Sequence, residues 1–158
     1  MIFKLIEDLG NTFVYAVGFE TEVNIDIHED EEPDIDIKDS YEYDALVEDG
    51  IESILDSIKK TLYNNKDEIC SKLGITHFSI VDSDIDYGYN IFIYPYIVID
   101  KELDTDLIKT VLSEYAKGHE VITESQFVDY DKYDKETRID FEFDMHTTGN
   151  VINIERVD

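Results

Sequence analysis

Two stretches of strict alternation constrain the fold more than any other feature of the chain. Val23, Ile25 and Ile27 alternate with Glu22, Asn24, Asp26 and His28, and Ile139, Phe141, Phe143 and Met145 alternate with Asp140, Glu142, Asp144 and His146. Successive side chains of a strand point to opposite faces, so each stretch predicts a strand with one dry face and one wet, acidic face. Such strands belong to antiparallel sheets covered on one side only.

The remaining elements follow from periodicity and punctuation. Phe13 to Ile27 reads as strand, with a break expected near Gly18. From Tyr43 to Leu62 the apolar residues Val47, Ile51, Ile54, Leu55, Ile58 and Leu62 recur at helical spacing, which predicts an amphipathic helix despite Gly50. A short helical piece over Asp67 to Leu73 is expected to stop at Gly74, a residue suited to the left-handed cap. Thr76 to Val81 and Tyr89 to Ile99 predict an antiparallel hairpin in which Pro95 demands an edge or a bulge. Leu107, Ile108, Val111, Leu112 and Tyr115 form a second helical stripe, with Asp100, Glu102, Asp104 and Asp106 at its positive end. Thr147-Thr148-Gly149-Asn150 reads as a turn leading into Val151 to Val157, and so predicts a C-terminal hairpin. The expected fold class is α+β: a mainly antiparallel sheet with two amphipathic helices packed on it, in a single globular domain over 1–158.

Charge then narrows the function. The chain holds 39 Asp and Glu against 13 Lys and Arg, a net of −26, in 158 residues. The hydrophobic fraction of 42% is enough for a core, so charge alone does not predict disorder. Residues 1–58 carry 18 acids against Lys4 and Lys38, a net of −16, which makes the excess uneven. Nucleic acid and an anionic membrane are repelled as direct partners, and a basic protein is expected instead. The longest apolar run, Ile91 to Ile99, is too short to cross a bilayer, and the N-terminus shows no secretion signal. The single cysteine, Cys70, fits a reducing compartment, so a cytoplasmic protein is expected.

Catalytic and metal chemistry find little support. Asp82-Ser83-Asp84-Ile85-Asp86 begins like a calcium loop, but Tyr87 stands where glycine is needed and Ile93 where glutamate is needed. Pro33-Asp34-Ile35-Asp36-Ile37-Lys38 holds the pieces of a nuclease motif without the separation that would let them converge on a metal. His28, His77, His119 and His146 are scattered, and Cys70 sits beside Ile69 and Leu73 as a small hydrophobe would. No phosphate-binding glycine loop or nucleophile elbow is present. The expectation is a protein that is not an enzyme, with no cofactor and no metal.

What remains is the arrangement of the acids. Asp44, Glu48, Glu52 and Asp56 are four residues apart on the predicted first helix, which places them in a row about 6 Å apart. On strands, alternate residues share a face at roughly 6.6–6.8 Å, so Asp140, Glu142 and Asp144 form a second row. Glu20, Glu22 and Asp26 form a third, and Asp82, Asp84 and Asp86 a fourth if that stretch is extended. Glu29, Asp30, Glu31, Glu32, Asp34 and Asp36 crowd a loop between them. Tyr41, Tyr43, Tyr87 and Tyr89 flank the rows as candidate aromatic anchors. Phosphates along a nucleic-acid strand are spaced similarly, about 6–7 Å apart.

In size, charge and carboxylate spacing the chain resembles the DNA-mimic inhibitors by which phages and mobile elements block restriction enzymes, CRISPR effectors and other nucleic-acid-binding proteins. The resemblance covers the whole chain and involves no shared motif. It implies an inhibitor whose carboxylate rows displace nucleic acid from the groove of a basic nuclease or defence effector, in the host cytoplasm if phage-encoded. Two alternatives stay open: an immunity protein or antitoxin neutralising a basic nuclease toxin, and an acidic structural or accessory domain.

Overall fold

The computed structural model describes residues 12–27, 41–88, 90–116, 119–132 and 135–157, and side chains within them except at 27, 119–132, 135–140, 148 and 149. The acidic loop residues Glu29, Asp30, Glu31, Glu32, Asp34 and Asp36, and Tyr89, lie outside the described residues.

A long first strand, β1 (Phe13–Ile27), is the spine of a five-stranded sheet. The hairpin of β2 (Phe78–Tyr87) and β3 (Ile91–Ile99) flanks it on one side, and the pair β4 (His119–Lys132) and β5 (Lys135–Arg156) on the other. The order is β2-β3-β1-β5-β4, and each neighbouring pair is antiparallel. Three helices fill the two long connections: α1 (Tyr41–Asn64) and α2 (Lys66–Leu73) between β1 and β2, and α3 (Thr105–Tyr115) between β3 and β4. The α+β class with a mainly antiparallel sheet is therefore the one the sequence predicted, with α2 as a short third helix beside the two long ones.

One layer of side chains holds sheet and helices together. Tyr15, Val17 and Phe19 of β1, Ile93, Ile97 and Ile99 of β3, and Phe141, Phe143 and Met145 of β5 form a continuous core with Ile54, Ile58 and Leu62 of α1 and Ile108, Val111 and Leu112 of α3. Each fully buried aliphatic or aromatic side chain in this layer contributes about 1.5–3 kcal/mol. All of these strand residues share one face, so the helices cover that face of the sheet. Gly50 lets α1 approach closely: a Cβ there would stand 2.6 Å from Met145 Sδ.

The ends of the helices follow local chemistry. Asp104 caps α3 by accepting from the Asp106 N–H at 2.9 Å. Gly74, at φ +69°, closes α2 as expected, with the Ile75 N–H bonding back to the Cys70 carbonyl at 3.0 Å. Asp100, placed by sequence near the start of α3, instead ties the start of β2 to the end of β3: the backbone N–H groups of Thr76 and His77 donate to it at 3.1 and 3.2 Å, and the Thr76 hydroxyl also donates.

Three expectations are corrected. The C-terminal pair does not turn at Thr147-Thr148-Gly149-Asn150: β5 runs unbroken through these residues, and its antiparallel partner is the preceding strand β4. Phe19 pairs with Val151 while Thr21 pairs with Thr147, so two steps on β1 face four on β5. Residues that read as a turn are spent on a bulge, a feature that needs the same backbone freedom. The second correction is β4, which carried no predicted element; its register slips between Thr123 and Gln126, and this breaks the alternation that would have revealed it. The third is the break at Gly18: β1 is continuous, only its pairing with β5 shifting between Gly18 and Phe19, and the glycine admits the Asn153 side chain and the Tyr94 ring, whose Cε1 would lie 2.8 Å from a Cβ.

Pro95 sits on the interior strand β3, not on an edge. The disturbance it requires is nearby: the β1–β3 pairing skips from Ala16↔Tyr96 to Phe19↔Ile93, and β2 shifts register between Ile80 and Asp82.

Candidate binding surface

The second face of the sheet bears no described helix, and the acid rows converge there. On β2 the face is set by the shift at Val81. Phe78 and Ile80 pair with the core residues Ile99 and Ile97, whereas Asp82, Asp84 and Asp86 pair with Tyr96, Tyr94 and Phe92. Without the extra residue, period two would carry the three aspartates onto the helix-covered face and Ile85 away from it. The hydroxyl of Tyr63, from α1, accepts from the Ile80 N–H at 2.8 Å and donates to the Ile80 carbonyl at 3.0 Å, beside that shift.

Glu20, Glu22 and Asp26 continue the acidic surface on β1, and Glu142, Asp144 and Glu155 on β5. Pairing places Asp26 opposite Glu142, Asn24 opposite Asp144 and Glu22 opposite His146, whose Nε2 is 3.3 Å from Glu22 Oε2. Asn90 donates to Glu20 at 2.7 Å at the end of the β2–β3 hairpin. Among the described side chains, no lysine or arginine stands in this face. Lys59, Lys60, Lys66, Lys72 and Lys109 are on helices and Lys101 is on the connection into α3, where Lys72 pairs with Glu114 at 2.8 Å. Arg156, at the end of β5, pairs with Glu102 at 2.8 Å.

Strand register gives the acids a direction. Asp82, Tyr96 and Ala16 are aligned across the sheet, and so are Asp86, Phe92 and Glu20. Because β1 and β2 run parallel through β3, the β2 aspartates lead into Glu20, Glu22 and Asp26 further along. From the level of Ala16 to Asp26 is ten steps, about 33 Å at 3.3 Å per residue.

Between the β2 and β1 acids runs an aromatic row that sequence reasoning missed. Phe92, Tyr94 and Tyr96 are half-buried on β3, with the Phe92 and Tyr94 rings stacked at 6.4 Å and 23°. Burial, the carboxylates of Asp84 and Asp82, a hydrogen bond with Asp84 and the charge of Glu155 push the Tyr96 hydroxyl pKa upward. The signal lay in Ile91–Ile99, where aliphatic Ile91, Ile93, Ile97 and Ile99 alternate with aromatic residues. Both sets are apolar, so the run reads as evenly buried.

The predicted acids of α1 fall elsewhere. Asp44, Glu48, Glu52 and Asp56 are exposed on α1, in the opposite layer. Asp140 lies in β5, its side chain outside the described set. One cleft joins the two acidic surfaces: Glu22 and Asn24 of β1, Tyr43, Asp44 and Glu48 of α1, and Tyr87 line a cavity of about 580 Å³. Tyr43 meets Phe143 edge-on at 6.1 Å, anchored to the core, while Tyr41 and Tyr87 are 84% and 64% exposed. Among the described residues no group of three His, Cys, Asp or Glu side chains is placed to hold a metal ion. Nor is any described helix long and apolar enough to cross a membrane.

No protein-family model, curated protein or solved structure matches this chain.

Proposed function

We propose that this protein is an acidic inhibitory binding protein that occupies the nucleic-acid-binding groove of a basic protein, in the manner of a DNA mimic. The observation that carries the reading is the segregation of charge: carboxylates of three strands share one sheet face in which no described lysine or arginine stands. Length supports it as well. A carboxylate track of about 33 Å is close to one turn of B-DNA, about 34–36 Å. A Lys/Arg-lined groove that neutralises phosphates along one turn meets a comparable run of charge here, with release of counterions favouring association and added salt opposing it.

The aromatic row supports a second reading, an immunity-type inhibitor that grips a basic toxin through apolar contact as well as charge. Phosphate backbones present no such row, and half-buried rings among charges are typical anchors of protein interfaces.

The two readings separate in a competition experiment. The tagged protein is used to capture basic proteins from lysate at low salt, and duplex DNA is then titrated in. Mimicry requires that DNA release the captured protein. Capture of basic protein that stays bound while DNA binds alongside it favours the immunity-type reading, and failure to retain any basic protein contradicts both.

A further inference from the structure

Each aspartate on β2 that reaches the face without a described helix stands directly opposite an aromatic ring on β3: Asp82 by Tyr96, Asp84 by Tyr94, Asp86 by Phe92. Directly opposed residues have Cβ atoms about 4.5–5.5 Å apart, so every rung offers a carboxylate and a ring within reach of one group. Rungs repeat along the strand at roughly 6.6–6.8 Å. We propose that these three pairs form a guanidinium-binding ladder, by which the surface takes arginine side chains of a basic protein in preference to lysine. The inference rests on the reading of the partner as basic and adds which cation it presents.

The chemistry of the two cations differs in the respect that matters here. A guanidinium is planar and weakly hydrated; it stacks on a ring with its face while its edge donates in a fork to a carboxylate. An ammonium is a compact, strongly hydrated point charge, and gains less from a ring that already has a carboxylate beside it. The chain builds such a unit for one of its own two arginines: the Arg156 guanidinium lies 4.8 Å over the Phe13 ring while Nη1 donates to Glu102 at 2.8 Å. On the ladder, stacking of Phe92 on Tyr94 and the seating of Tyr94 over Gly18 hold the rings in place before a partner arrives, which lowers the ordering cost of binding. Rung spacing equals that of alternate residues on an extended segment, so the fitting occupant is a stretch of the partner presenting arginines at every second position.

The test titrates the full-length protein with a peptide carrying four arginines at alternate positions, separated by serine, and with its all-lysine counterpart, by calorimetry at moderate salt. The arginine peptide is expected to bind about tenfold more tightly, with amide shifts centred on 82–86 and 92–96. In Phe92→Leu/Tyr94→Leu the preference should fall to about twofold or less while lysine binding persists. Circular dichroism checks that the variant is folded, and Tyr94→Leu alone serves if it is not. Equal affinity of the two peptides for the wild type, or a preference that survives loss of the rings, overturns the ladder and leaves the acidic reading intact. Failure of both peptides to bind even at low salt contradicts both.

Discussion

The hydroxyl of Tyr63 closes both free backbone groups of Ile80, accepting from its N–H at 2.8 Å and donating to its carbonyl at 3.0 Å. This contact ties α1 to the point where β2 changes phase, and the phase decides which face Asp82, Asp84 and Asp86 occupy. Tyr63→Phe removes both bonds and keeps the ring. It is expected to cost about 1–2 kcal/mol, read by urea denaturation, and to accelerate amide exchange over residues 80–82 more than elsewhere. Unchanged exchange there would show that the register holds without the hydroxyl.

That dependence also explains how far the sequence could be read. Helix α1 was legible because Val47, Ile51, Ile54, Ile58 and Leu62 keep an unbroken period against one face of the sheet. Strands were legible where alternation is uninterrupted, as from Phe141 to Met145, and illegible where a bulge shifts the phase, as at Thr123–Gln126 in β4. Gly149 and Asn150 carry turn chemistry that β5 uses to bend without reversing. Likewise three acid rows could be found one by one, but their meeting on one face depends on strand order and on the shift at Val81, both fixed by contacts far apart in sequence.

Gly50 tests how closely α1 is seated. Alanine improves helix propensity by about 1 kcal/mol, but its Cβ would stand 2.6 Å from Met145 Sδ, and forcing apart a packed core costs about 1–3 kcal/mol. Gly50→Ala should therefore lower stability by about 1 kcal/mol net, measured by thermal or urea unfolding. A gain in stability would mean that Met145 moves aside freely.

Asp100 gives a pH signature. Hydrogen bonds from the Thr76 hydroxyl and from the Thr76 and His77 N–H groups outweigh desolvation and hold its pKa below the ordinary carboxylate value of 3.8. A carboxylate with a depressed folded pKa stabilises the fold above its unfolded pKa, and that contribution is lost as pH falls through the folded value. Asp100→Asn should be less stable than the wild type by about 1–2 kcal/mol at pH 7, and the difference should shrink as pH drops below about 4. Denaturant midpoints across that range decide it; a difference that stays constant would show that the charge of Asp100 contributes nothing.

Self-repulsion gives a salt signature of opposite sign to that of binding. With a net charge of −26 the folded chain is compact against its own field, and salt screens that repulsion. Raising ionic strength from about 0.01 to 0.5 M, which shortens the Debye length from about 30 Å to a few ångström, should raise the unfolding midpoint while weakening affinity for a polycation. An unfolding midpoint that falls with sodium chloride would show that attractive pairs outweigh the repulsion.

The central claim is that one face of the sheet, and not acidity in general, binds the basic partner. Two variants that remove the same charge at different places test it: Glu22→Gln/Asp82→Asn/Asp84→Asn/Asp86→Asn on the sheet, and Asp44→Asn/Glu48→Gln/Glu52→Gln/Asp56→Asn on α1. Affinity for an arginine-rich polypeptide, measured by calorimetry at moderate salt, should fall at least about tenfold for the sheet variant and less than about threefold for the helix variant. Equal losses in the two variants would contradict the account.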